Sequence, residues 1–507
     1  MKHALSLICT AMLVATAWRL ITLSSHFGGA DSYYFILYGY DLAQSAADTS
    51  FARYHYFPGA YQFWRVVAMA AGRNFAAYQM VFAIVGLANA ALTGLIVREA
   101  VGRAPLAALS ACAYVLVGWR LEIDGMTTEP LVTLAALSGI LLWLQCERRG
   151  QRQLGLLCLG AGYGLAVLTK QQGAFLALGA MGLAPSLWRQ SRGWRRMCVD
   201  AVAVVATSLG VFAAGMVLDG GGLAAVRFGI GMAADYARDG SFAAHLTGVA
   251  HRVPVLCVAL VGAIGLWCPA WRAARRTSST DRSSSLQVWS LGAATALVTL
   301  LQFTKRGYAH YALLTLPFAL MAIAPAAAWS WTRVCAYRDR ARGTSAPWRV
   351  LLCVSIGVIV VVNGLALEAS AERRMPALAT TLPHERDAAL CDRIRPGQRL
   401  LLLPSRDNAL HWACGTTARG TRWGYTFNAQ ETPEDYIAEL RKPELTQVFV
   451  FATRSDDAYG RQVFARHDWS SFFVALTQQG FQAVVESPAG VLYVRVPAAA
   501  DGVSLRR

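Results

Sequence analysis

Charge is scarce in this chain. Asp, Glu, Lys and Arg make up 15% of its 507 residues, against about 25% in an average globular protein. Apolar residues make up 55% and the mean hydropathy is +0.38, which excludes an ordinary water-soluble chain. Acid is scarcer than base, leaving a net charge of +17. That excess does not indicate nucleic acid, because the arginines sit in short loops between apolar blocks, as the positive-inside rule describes. The eleven cysteines form no CxxC pair and no Cys/His cluster with zinc spacing. Nine lie in or beside apolar segments, where Cys acts as a small hydrophobe. Cys391 and Cys414 share a C-terminal polar region; a disulfide is allowed there if the compartment is oxidising, and two thiols are the alternative. No internal repeat is visible, which weighs against an inverted-repeat transporter.

What is present is a series of apolar blocks of about 17–22 residues, enough for a helix to cross ~30 Å of hydrocarbon. The first, roughly 4–23, contains Ala15-Thr16-Ala17, which mimics a signal-peptidase site. Arg19 and further apolar residues follow, so it reads as a span. Further spans are expected at about 76–97, 104–119, 128–146, 154–169, 173–188, 198–218, 254–270, 287–304, 309–331 and 350–367, about eleven in all. Between the first and second lies a long loop, 25–75, in which Phe35–Ala46 and Ala60–Ala71 read as amphipathic helices lying in the membrane interface.

Orientation follows from the basic residues of alternate loops. The set that includes Lys2, Arg98, Arg148, Arg189, Arg275 and Arg340 has about twice as many Lys and Arg as the opposite set, so it is cytoplasmic. The N-terminus is then cytoplasmic. Asp31, Glu129, Lys170 and Arg306 then share the outer side. Residues 1–370 form the membrane domain and 371–507 a periplasmic one.

In that C-terminal domain, Arg399–Pro404, Gln447–Phe451 and Gly490–Val496 read as buried strands. Ala388–Ile394, Pro433–Leu440 and Phe472–Gln479 read as helices, giving a small α/β domain. It has no Gly-rich phosphate loop and no Ser/His/Asp set. His411 and Asp407 flank a helical turn and read as capping and surface chemistry.

Chemistry-bearing residues gather at the outer mouths of the spans. The first loop has Asp31, Asp41, Arg53, Tyr54, His55 and Tyr61; Glu122, Asp124 and Glu129 precede the fourth span. Lys170 caps a one-turn re-entry, and Lys305, Arg306, His310 and Tyr311 follow the ninth span. A carboxylate at such depth is costly to desolvate and usually serves a cavity. Sugar transfer from a lipid phosphate needs this inventory. A base takes the acceptor's hydroxyl proton, cations stabilise the departing phosphate, and a pocket at the lipid boundary aligns donor and acceptor. Asp31 is the expected base. Glu129, preceding Pro130, also suits a helix start.

Four segments carry a resemblance to a known family. They are Asp31-Ser32-Tyr33-Tyr34 after the first span; Tyr54 to Tyr61 with its Pro58-Gly59; Gly164–Lys170, ending Leu-Thr-Lys; and Arg306 with His310-Tyr311 to Pro317. Together they resemble the GT-C membrane glycosyltransferases, in particular bacterial relatives of the protein O-mannosyltransferases and of the lipid A aminoarabinose transferase. The resemblance covers about residues 1–370. It implies a mostly α polytopic fold with an extracytoplasmic α/β tail, a polyprenyl-phosphate sugar donor and inversion at the anomeric carbon. On it, Asp31 and Glu129 are catalytic, and Lys170, Arg306 and Arg53 bind the donor phosphate. His55, Tyr54, Tyr61, His310 and Tyr311 contact substrate. The resemblance leaves a metal open: Asp31, His55 and Glu129 are the residues that could hold Mg or Mn, and many relatives work without one. Two departures stand out. Gly59 replaces the family's second proline, and Phe57 stands where the aminoarabinose enzymes place a Lys against the phosphate.

Two other readings stay open: a transporter or flippase of lipid-linked sugars, and a non-catalytic membrane subunit. A transporter would place its ionisable residues at mid-membrane, whereas here they lie at span ends. The sequence names neither the sugar nor the acceptor, which can be lipid, glycan or protein.

Overall fold

The computed structural model describes residues 30–44, 57–120, 127–184, 194–220, 280–301, 311–324, 388–404, 409–418, 432–452, 463–487 and 490–496, with a few positions between 223 and 230. They divide into two compact units. The spans expected at 254–270 and 350–367 lie outside these residues.

The first unit is a helix bundle made from residues 57–60 and 74 onward. Two helices belong to the 25–75 loop: α1 (Ala30–Gln44) and α2 (Gly59–Ala71). The bundle proper begins with α3 (Phe75–Val101), capped by the Asn74 side chain accepting from the Ala77 N–H at 3.3 Å and ended by Gly102 at φ +68°. There follow α4 (Ala104–Arg120), α5 (Glu129–Arg148), α6 (Arg152–Thr169), α7 (Gly173–Gly179, continued by a 3₁₀ turn to Leu183), α8 (Trp194–Leu218), α9 (Thr280–Leu301) and α10 (Ala312–Ala324). Among the described residues, three stretches are long and apolar enough to cross a membrane: Met80–Val101, Glu129–Arg148 and Trp194–Leu218. Along α8, Val199, Val202, Val205, Leu209, Val217 and Leu218 are exposed, as a lipid-facing surface requires.

Apolar side chains gain little from leaving lipid for one another, so bundle helices hold together by close backbone approach. Helix α6 does this on two sides. A Cβ at Gly162 would lie 2.8 Å from Ala135 O and Gly139 Cα on α5. One at Gly160 would lie 2.6 Å from Val204 O, and one at Gly164 2.5 Å from Ser208 O, both on α8. Gly160 and Gly164 are one turn apart and share a face, while Gly162 points to the other side. Gly59 closes on the end of the same helix, where its Cβ would be 2.9 Å from Leu168 O and Thr169 N.

The second unit combines α1, residues 61–73 and the C-terminal domain. That domain is a four-stranded sheet in the order β1-β2-β4-β3, with β1 (Arg399–Leu403) parallel to β2 (Leu445–Phe451) and β4 (Gly490–Arg495) antiparallel to both β2 and β3 (Phe481–Ser487). Leu401, Leu403, Val448 and Val450 pack beneath Tyr436, Trp469 and Phe472. Leu400, Leu402 and Phe449 pack on the other face with Leu390, Ile394 and Leu410. Both faces are covered, which is why β1 reads as a continuous apolar run.

Most elements of this domain fall where the sequence placed them: α11 is Ala388–Arg393, α13 Pro433–Leu440 and α14 Ser470–Gln478. Two additions are the short α12 (Ala409–Ala413) and β3. Cys391 and Cys414 are joined in a disulfide, so the two-thiol alternative does not hold. A further correction concerns His411: it is fully buried rather than a surface residue.

Candidate functional site

The chemistry of the bundle concentrates where the α5–α6 hairpin opens. Helix α5 runs 20 residues from Glu129 and α6 runs 18 residues to Thr169, with the reversal at Gly150 (φ +73°). Antiparallel helices of nearly equal length bring the first residue of one level with the last of the other. Glu129 therefore meets Lys170, with Nζ 2.7 Å from Oε1. Their side chains are 0% and 7% exposed respectively. Pro130 occupies the first turn of α5, and the Thr133 hydroxyl donates to Glu129 O at 2.9 Å. An acid at a helix start and a cation past a helix end both agree with the helix dipoles.

Lys170 is held in extended conformation (φ −158°, ψ 145°) as α6 ends. Gly173 N–H donates to Lys170 O at 2.8 Å, and the chain re-enters at once as α7. The ring of Tyr311, the residue just before α10, has its centroid 5.5 Å from Lys170 Nζ, within cation–π range. Residues 129, 170 and 311 thus converge from three separate parts of the sequence. Asn89 on α3 donates to Pro130 O at 2.8 Å and holds the mouth of α5. Phe57 packs edge-to-face on Phe212 of α8 at 4.9 Å. Desolvating two charges costs several kcal/mol each, and bilayer segments that bear that cost are usually functional. Chemically, the pair offers a cation with three donor hydrogens and a carboxylate alongside it.

The other sequence-derived candidates divide in two. Asp31 lies in the first turn of α1, which starts at Ala30 and not at Phe35 as expected. Tyr61 is buried, 5.6 Å from the Phe35 ring and 5.3 Å from Tyr38. Arg53, Tyr54, His55, Arg306 and His310 lie outside the described residues, as does the Asp31 side chain. Among the described residues no group of three or more His, Cys, Asp or Glu is placed to hold a metal.

A second polar cluster, in the other unit, carried no sequence signal beyond its individual residues. Arg73 Nη1 donates to His411 O (3.4 Å) and Nη2 to Thr416 O (3.2 Å). Thr417 Oγ1 donates to Asp41 Oδ2 at 2.7 Å, and His411 Nδ1 lies 3.0 Å from Thr416 Oγ1. Burial, followed by the Arg73 guanidinium, pushes the His411 imidazole down to about 3. An unfolded chain takes up that proton near its ordinary 6.5. Between those values the unfolded state binds a proton that the folded domain does not, so stability is full above about pH 6.5 and falls as pH drops toward 3. Thermal unfolding of the full chain at pH 7 and pH 4.5 should show this loss, and His411→Asn should shrink it. Equal pH dependence in both proteins would refute it.

No protein-family model and no curated protein sequence matches the chain. Solved structures do. ArnT from Cupriavidus metallidurans, bound to undecaprenyl phosphate, is 16% identical over 99% of this chain and 100% of that one, with a TM-score of 0.58. The archaeal oligosaccharyltransferase AglB from Archaeoglobus fulgidus, in complex with an inhibitory peptide and a dolichol-phosphate, is 13% identical over 96% of this chain and 74% of that one, with a TM-score of 0.51. At these identities the likeness is one of fold: the chain shares the fold of these two solved structures.

Proposed function

We propose that this protein is an inverting membrane glycosyltransferase that moves one sugar from a polyprenyl-phosphate carrier to an acceptor at the periplasmic face of the inner membrane. The observation that carries this reading is the buried Glu129–Lys170 pair with Tyr311 at the mouth of the α5–α6 hairpin. The likeness to a fold whose solved examples hold undecaprenyl phosphate and dolichol-phosphate supports it.

In this scheme the acceptor hydroxyl attacks the anomeric carbon as the bond from that carbon to the phosphate oxygen breaks. Asp31 takes the hydroxyl proton. The electron pair leaves on the polyprenyl phosphate, whose added charge Lys170, Arg306 and Arg53 stabilise. Phosphate leaves readily, so no separate general acid is needed. Phe57 supplies no cation, which puts more of the phosphate's charge on Lys170. Glu129 holds the Lys170 ammonium in place through their ion pair.

The test uses purified full-length protein in lipid nanodiscs, radiolabelled polyprenyl-phosphate sugars and an envelope extract as acceptor. Release of free polyprenyl phosphate together with labelled acceptor supports the reading. Movement of intact donor across a liposome membrane, without cleavage, overturns it in favour of a flippase.

A further inference from the structure

The helix bearing Asp31 belongs to the C-terminal unit and not to the bundle. Three ties account for this. Gly39 on α1 takes the Trp64 side chain of α2 against its bare Cα; a Cβ there would lie 2.5 Å from Trp64 Cβ, so the two helices cross in direct contact. Asp41, buried near the end of α1, accepts from Thr417. Arg73 follows α2 past Gly72 (φ +56°) and forks onto the carbonyls of His411 and Thr416. Its guanidinium carbon lies 4.7 Å from the Tyr40 ring centroid and 5.8 Å from that of Trp412, so one side chain touches α1 and the tail domain together.

The segment these residues grip is itself fixed. Cys414 is bonded to Cys391 on α11. Gly397 N–H donates to Gly415 O at 2.9 Å, Thr417 N–H to Gln398 O at 3.2 Å, and Leu400 N–H to Thr417 O at 3.0 Å. The turn at 411–417 is therefore sewn to the edge of β1. A fork onto two main-chain carbonyls suits arginine and not lysine, whose single ammonium cannot span both.

We infer that Arg73 and Asp41 are positioning residues, and that the disulfide-pinned turn at 411–417 is the seat on which the tail domain holds α1, and with it Asp31, for transfer. This rests on the proposed function. It gives the α/β domain, to which the proposed scheme assigns no catalytic residue, a part in the reaction, and it makes that part sensitive to reduction of Cys391–Cys414.

Two measurements on the full chain in nanodiscs test it: amide hydrogen exchange and donor kinetics. In Arg73→Ala, exchange over 30–44 and 61–71 should rise about tenfold or more while 129–148 stays unchanged. The kcat should fall about tenfold with donor KM held within about twofold, because the phosphate contacts are untouched. Arg73→Lys should lie between wild type and Arg73→Ala. Asp41→Ala and the Cys391→Ser/Cys414→Ser pair should show the same pattern more weakly, and they decide the matter if Arg73→Ala fails to fold. Unchanged exchange in α1, or loosened helices with wild-type kcat, overturns the inference. Wild-type protein that transfers no sugar would defeat the proposed function instead, leaving the exchange pattern to decide whether the seat holds α1.

Discussion

Asp31→Asn should reduce sugar transfer by about 10²–10⁴-fold, the range over which a positioned general base contributes. The amide matches the carboxylate in size and cannot take up a proton, so it removes the base with little change in shape. Donor binding should survive, since phosphate affinity is assigned to Lys170, Arg306 and Arg53. The loss should appear in kcat and leave donor KM within about twofold. Asp31→Glu should retain more activity than Asp31→Asn, because it keeps the base at a shifted reach. Transfer at wild-type rates by the Asn variant would remove Asp31 from the mechanism.

The second large effect separates stability from chemistry at the hairpin mouth. Lys170→Met leaves the Glu129 carboxylate, whose side chain is fully buried, without its cation. Breaking a buried ion pair by removing one partner costs about 3–5 kcal/mol. Transfer should also vanish, because the phosphate loses its ammonium. The informative protein is the double variant, Glu129→Gln with Lys170→Met. Neutralising both charges removes the desolvation cost of both, so stability should return to within about 1 kcal/mol of wild type. Activity should not return. Unfolding titrations in mixed micelles, run beside the transfer assay, read the two quantities independently. A double variant that transfers sugar would make the pair purely structural, and single variants as stable as wild type would contradict the buried geometry.

How far these features could be read in advance depends on whether their cause is local. Helix α13 was legible to the residue because Thr432, Pro433, Glu434 and Asp435 supply cap, first turn and acidic start together; the Thr432 hydroxyl does accept from the Asp435 N–H. Apolar length alone located α3 to α6 and α8 to within a few residues. Strand β3 escaped because it is an edge strand, where Gln482 and Glu486 interrupt the apolar pattern that marks a covered strand. His411 escaped for a different reason. Its burial comes from its place within the fold and from Arg73, 338 residues away, and no local pattern encodes that.

The site lies between these cases. Loop charges placed Glu129 and Lys170 on one face, but their contact is a consequence of matched helix lengths on either side of Gly150. Those lengths stood in the sequence. What was missing was a reason to treat the hairpin as rigid, and that comes from Gly139 and Gly162 meeting backbone to backbone.

Because α6 is wedged between two neighbours by bare glycine on opposite flanks, it can neither turn about its axis nor slide along it without driving main chain into main chain. Its terminal lysine therefore rides on a locked shaft, fixed in depth and bearing. During turnover, the adjustments must come from the incoming lipid and from elements other than this helix.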